Sequence, residues 1–253
     1  MTEPKPELTF WEHLDELRSR VFVSLGALTA ATAAGWTVSD RALSLFTEPL
    51  RANGTPVYFF SPQGAFVARV QVSLLLGVFL SAPVLLHQLW GFVSPALHRH
   101  EKRAAVPLVA VMSALFAAGA AFAWFGVVPV ALRFLVGMQT ESLQPMISLE
   151  EYVSFLSGFL ISFGVAFNLP VFVLAFVASG VVDASGLSRL RRHAIVLIFI
   201  LAAVLTPGPD VASQLLLAVP LWGLFEISVA AAWLFGVVRA RRRRAAAGQG
   251  GPS

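Results

Sequence analysis

From Ala104 to Leu132, and again from Tyr152 to Val182, the chain runs without one charged side chain. Uncharged apolar stretches this long exceed the ~20 residues that carry a helix across ~30 Å of hydrocarbon. In lipid every backbone N–H and C=O must be satisfied, which a helix does within its own segment. The expectation is an all-α polytopic membrane protein. Composition agrees: 57% of residues are hydrophobic and only 13% charged, against about 25% charged in a soluble domain.

Divided at its charges, the chain forms one transmembrane domain, residues 1–238, with spans at about 21–39, 70–93, 105–132, 152–178, 193–206 and 211–236. The fifth is short and ends at the helix-breaking "TPGPD", Thr206 to Asp210. Six crossings put both termini on one side. The loops of that side carry Lys5, Arg18 and Arg20; Arg99, Lys102 and Arg103; Arg189, Arg191 and Arg192; and Arg239 with Arg241 to Arg244. The other side holds only Arg41, Arg51, Arg69 and Arg133. The positive-inside rule makes both termini cytoplasmic. Residues 239–253 are basic and small, and are expected to form a disordered tail. The long outer loop from Asp40 to Arg69 contains "VYFFSPQGAF", too apolar for a free linker and expected to pack as a cap. In it Ser61 is the expected N-cap and Pro62 the first helical position of the next helix.

Several function classes drop out. The chain has no cysteine, which removes thiolate chemistry and disulfides. Neither lysine lies in a phosphate-cradling loop, and no H-E-x-x-H or G-x-S-x-G motif occurs. No cofactor, metal site or nucleic-acid partner is expected. The first 20 residues carry more acidic than basic side chains, the reverse of a secretory leader, so the first apolar run is expected to stay as a membrane helix.

The acidic residues are the anomaly. "EHLDELRSR" places Glu12 and Glu16 on one face of a helical turn that leads into the first span, and "PALHRHEKR" sets Glu101 inside a basic loop. Two readings stay open. Glu16 and Glu101 pair with neighbouring arginines such as Arg20 and Arg103, as charge runs usually do; or they form a docking site for a basic peptide, since a carboxylate accepts two parallel bonds from a guanidinium. Inside the spans stand Asn168, Gln214 and Glu226. Such groups face protein or water rather than lipid, either as helix-packing hydrogen bonds or as a surface for a partner's helix. Pro83, Pro107, Pro129, Pro170 and Pro220 are expected to bend their helices.

Four stretches in order, "HLDELRSR", "FVSPALHRHEKR", "FGVAFNLPV" and "LTPGPDVASQLLLAVPLWGLFEISV", together resemble the TatC family, the core membrane subunit of the twin-arginine protein translocase. The resemblance runs from about Phe10 to Val238. It implies a receptor and scaffold that binds Arg-Arg signal peptides and assembles with TatA-type and TatB-type single-span partners. The assembly would export folded proteins on the protonmotive force from a bacterial or archaeal cytoplasmic membrane, as a homo-oligomer within a larger complex in contact with lipid. It assigns signal-peptide binding to Glu16, Arg18, Phe92, Glu101 and Arg103, and partner-helix contacts to Thr206, Asp210 and Gln214, and it marks Pro49 in the outer loop. Asn168 departs from the pattern, because many members carry glutamate there; a neutral amide hydrogen-bonds but carries no charge.

A secondary transporter of a small solute is the alternative. It calls for convergent polar groups at mid-membrane, often with inverted repeats, whereas the polar residues here are scattered and no repeat is visible. An intramembrane enzyme lacks its nucleophile and base.

Overall fold

The computed structural model describes residues 10–52, 54–93, 105–137, 146–179, 191–205 and 211–248. The chain is helical almost throughout. α1 (Phe10–Trp36) and α2 (Ser39–Ala52) are followed by the two-residue strand β1 (Val57–Tyr58) and α3 (Gly64–Val93). α4 (Ala105–Phe122) passes through a π-helical turn, Ala123–Val127, into α5 (Val128–Val136). The strand β2 (Ile147–Ser148) leads into α6 (Leu149–Ala166) and α7 (Leu169–Ser179), and α8 (Arg191–Leu205) and α9 (Val211–Gly248) complete the chain.

Four helical stretches are long and apolar enough to cross a membrane: Gly64–Phe92, Val106–Val136, Leu149–Val177 and Gln214–Leu234. α1 and α2 qualify together as a fifth, bent by 78° at their junction. α8 has 15 residues, about 22 Å of rise, which fits the expected short fifth helix.

Prolines explain two breaks. Pro129 has no N–H to give to the carbonyl four residues back, and the ladder widens: the Val128 N–H reaches Ala123 O, a π-bulge. Pro170 likewise leaves the carbonyl of Ala166 without its usual donor, and the helix restarts across Asn168, whose own carbonyl accepts from Val171 and Phe172 at 3.1 and 3.2 Å. Pro83 and Pro220 sit inside α3 and α9, which stay continuous.

α6 occupies the centre. Leu156, Phe159 and Phe163 are fully buried against Leu75 of α3, Ala123 and Val128 beyond α4, and Leu217 of α9. α1 packs along α3, α4 along α6, α7 along α9, and α8 against α9. The α1–α3 contact is close because Gly77 faces Thr32: a Cβ at Gly77 would collide with Thr32 Oγ1 and stand 2.9 Å from its Cα.

Where α1 turns into α2, Arg69 of α3 ties the corner. Its guanidinium lies 4.7 Å from the Trp36 ring centroid, its Nε–H donates to Ser39 Oγ at 3.0 Å, and Nη2 meets Asp40 Oδ2 at 2.9 Å. Near this end β1 and β2 pair in parallel, Val57 with Ile147 and Tyr58 with Ser148. The Tyr152 hydroxyl donates to Phe46 O at 2.7 Å.

Four expectations need correction. The stretch Asp40–Arg69 is not a loop alone: most of its first part is α2, an amphipathic helix that holds Pro49. α3 begins at Gly64, not at Pro62; Ser61 to Gly64 form a turn closed by the Gly64 N–H on Ser61 O, and the Ser61 hydroxyl reaches Glu150 Oε1 at 3.4 Å instead of capping. The aromatic run does not bury itself as a cap, since Tyr58, Phe59 and Phe60 are 42%, 59% and 60% exposed. Finally, α9 continues through Arg239 to Gly248, where a disordered tail was expected. Alanine and arginine are strong helix formers, and they extend an already nucleated helix at little cost.

Candidate functional site

At the end of the bundle where α1 begins and α3 finishes, α1 carries "EHLDELRSR" on two faces. Arg18 lies on the exposed face, its guanidinium 5.8 Å over the Phe22 ring one turn on. Glu16 and Arg20, at i and i+4, share the face turned to α3. Arg20 donates Nε–H to Glu16 Oε1 at 3.1 Å and Nη2–H to the same oxygen at 2.6 Å. Its Nη1–H reaches Gln88 Oε1 at 3.3 Å and Gln88 O at 3.5 Å. The side chains of Glu16 and Arg20 are 27% and 23% exposed. The guanidinium fits against α3 because residue 91 is glycine: a Cβ there would meet Nη1 and stand 2.7 Å from Cζ.

The same stretch of α3 carries Trp90, buried with its ring 6.4 Å from Phe172, and Phe92, half-buried. Glu16 and Phe92 therefore stand at one end of the bundle, with Arg20, Gln88 and Gly91 joining their helices. Glu101 and Arg103 lie outside the described residues. The expected pairing of Glu16 with Arg20 is present, but both bonds fall on Oε1.

The remaining polar residues fall elsewhere. Gln214 Nε2–H donates to Phe199 O at 3.0 Å, tying α9 to α8. Glu226 Oε2 accepts from Arg191 Nη2 at 2.9 Å, a second tie in the same hairpin. Asn168 is 1% exposed, donates Nδ2–H to Gly164 O at 3.0 Å, and leaves Oδ1 buried with no partner among the described residues. Thr206 and Asp210 lie outside the described residues. Among the described residues no three His, Asp or Glu side chains converge as a metal site would require.

Sequence reading named Arg20 but missed Gly91, and named Arg191 only as a loop charge. The i, i+4 spacing pointed to the first pairing. A glycine between Trp90 and Phe92 signals that something comes close, but not what; the Arg191–Glu226 pair depends on how α8 and α9 align and has no local signature.

Residues 12–220 match the family model described as the Sec-independent protein translocase protein TatC. The chain is similar to the Sec-independent protein translocase protein TatC of Azotobacter chroococcum, 41% identical over 244 residues, 95% of this chain and 93% of that protein. The protein of the same name from Carboxydothermus hydrogenoformans is 37% identical over 227 residues, 90% of this chain and 93% of its own length. A crystal structure of the twin-arginine translocase receptor TatC superposes with a TM-score of 0.81 at 33% identity, covering 88% of this chain and 99% of that one. The chain belongs to the TatC family of Sec-independent protein translocase proteins.

Proposed function

We propose that this chain is the signal-peptide receptor and scaffold of a twin-arginine translocase, and that it acts as a non-enzymatic binding protein. The observation that carries the proposal is Glu16. Its carboxylate is held at the α1–α3 junction with both Arg20 bonds on Oε1. A carboxylate held this way suits a guanidinium, which aligns its donors with the oxygens it meets. Glu101 in the adjoining basic loop supplies a second anion for the second arginine of an Arg-Arg pair. The family resemblance adds Arg18, Phe92 and Arg103 to the site, with Phe92 as an apolar contact; Arg103 lies outside the described residues.

In this reading six spans cross the cytoplasmic membrane of a bacterium or archaeon with both termini inside, so that Glu16 faces arriving cargo. The proposed contacts with single-span TatA-type and TatB-type partners are Thr206 and Asp210, which lie outside the described residues, and Gln214, whose Nε2 also ties α9 to α8; several copies work in one complex. With no phosphate-cradling loop, the protonmotive force drives export; 100 mV supplies about 2.3 kcal/mol per charge moved. A solute transporter finds little support, because Gln214 and Glu226 are committed to helix–helix contacts rather than to one mid-membrane site.

Photocrosslinkers placed at residues 16 and 92, and at 101, test the reading. Each should capture an Arg-Arg leader peptide, and capture should fall sharply for the Lys-Lys form, whose compact ammonium does not match the planar donor array of a guanidinium. Equal capture of both forms, or none at residue 16, would overturn it.

A further inference from the structure

We infer that Arg20 is a positioning residue of the leader-peptide site: an internal guanidinium that holds Glu16 in its binding rotamer. The inference rests on the reading of Glu16 as part of that site.

The geometry is specific. Every nitrogen of the Arg20 guanidinium is used, Nε and Nη2 on Glu16 Oε1 and Nη1 on Gln88. Gly91 leaves the space that the fork occupies. Anchored on Gln88 of α3 as well as on Glu16, the planar fork restricts the rotamers open to the carboxylate bonded to it. Both bonds on a single oxygen leave the other for an incoming donor. A glutamate free to rotate at the membrane surface would lose side-chain entropy on capturing a ligand, about 0.5–1.5 kcal/mol for a rotamer-rich side chain. Arg20 has already imposed that order.

The charge has a second consequence. Arg20 neutralises Glu16 in the empty site, so Glu16 adds little long-range attraction for a cationic leader. What it offers is a directed acceptor, which rewards the shape of a guanidinium over the bare charge of an ammonium. Lysine at residue 20 would keep the charge, but a single ammonium cannot span Glu16 and Gln88 as the fork does.

The test is a double-mutant cycle on the full chain in nanodiscs, with a fluorescent synthetic leader peptide bearing Arg-Arg as probe and its Lys-Lys counterpart as comparison. Arg20→Lys should weaken Arg-Arg binding by about tenfold, the order of one lost charged hydrogen bond, and shrink the Arg-Arg over Lys-Lys preference. In a Glu16→Gln background the same substitution should change binding by less than about twofold, because Arg20 acts through Glu16. Losses that simply add in the double variant would overturn the inference. Should Glu16→Gln bind like the native chain, the receptor reading of Glu16 fails first, and the two failures are told apart by that single variant. If Arg20→Lys loses its monodisperse elution, Gln88→Ala, which removes only the side-chain acceptor of Nη1, is measured in the same cycle against the same criterion.

Discussion

Arg191 Nη2 lies 2.9 Å from Glu226 Oε2 and joins the first turn of α8 to the middle of α9. Gln214 ties the same two helices through Phe199 O, about two turns further along α8 and about three along α9. Two polar clamps thus set the register of a hairpin whose first helix is only 15 residues long. The pair is partly exposed, 49% at Arg191 and 31% at Glu226, and such pairs contribute about 0.2–1 kcal/mol. Glu226→Ala should therefore destabilise the protein by up to about 1 kcal/mol, read as a lowered midpoint of unfolding in mild detergent. The charge-reversed pair, Arg191→Glu with Glu226→Arg, should recover a substantial part of the loss. Failure of the reversed pair to recover any stability would mean that the ion pair does not set the register.

Gly77 permits α1 to lie against α3. A methyl group there meets Thr32 side chain and backbone together, and backbone yields little. Overpacking of this kind costs about 1–3 kcal/mol. Gly77→Ala should lower the melting temperature and Gly77→Val more so. Because α1 carries Glu16 and α3 carries Gln88, the same substitutions should also weaken leader-peptide binding. Circular dichroism melts beside the binding assay separate this effect from that of Arg20→Lys, which should leave the melt nearly unchanged.

These contacts show what the sequence held and what it did not. The uncharged runs announced the helices, because length without charge is a local property and lipid leaves few alternatives. The Glu16–Arg20 pair was legible too, since both residues sit one turn apart on one helix. Ser61 misled: an N-cap motif competes with tertiary partners, and Glu150, distant in sequence, won the hydroxyl. Gly91 and Gly77 are unremarkable as letters, and their roles appear only when Arg20 and Thr32 arrive from another helix. The bracket made by Arg69 around Ser39, Asp40 and Trp36 belongs to the same class.

Tyr58, Phe59 and Phe60 project from the end of the bundle that holds β1 and β2, largely exposed. Aromatic side chains favour the headgroup level of a bilayer, so a membrane–water interface is where this run should rest. The absence of cysteine from the chain makes the check clean. A nitroxide on Phe59→Cys or Phe60→Cys in proteoliposomes should be more accessible to dissolved oxygen than to a water-soluble nickel chelate. The opposite ranking would place the run in water.

Asn168 offers the sharpest separation of stability from function. It is buried at the break between α6 and α7, and its one side-chain bond, from Nδ2 to Gly164 O, is local to its own helix turn. Oδ1, without a hydrogen-bond partner among the described residues, carries a desolvation cost of the order of 1–3 kcal/mol. Asn168→Leu keeps the branched skeleton but with bulkier methyl groups; it gives up the bond to Gly164 and also removes the orphaned oxygen. The lost bond and the added bulk weigh against the removed desolvation cost, and the melting temperature should stay within a few degrees of native. Export of a twin-arginine cargo by the reconstituted translocase should nonetheless fall, because a chain that tolerates an unsatisfied polar atom at no structural benefit keeps it for a transient partner. A leucine variant both as stable and as active as native would remove any functional role for the amide, and a variant markedly less stable would show that Oδ1 is satisfied in the membrane.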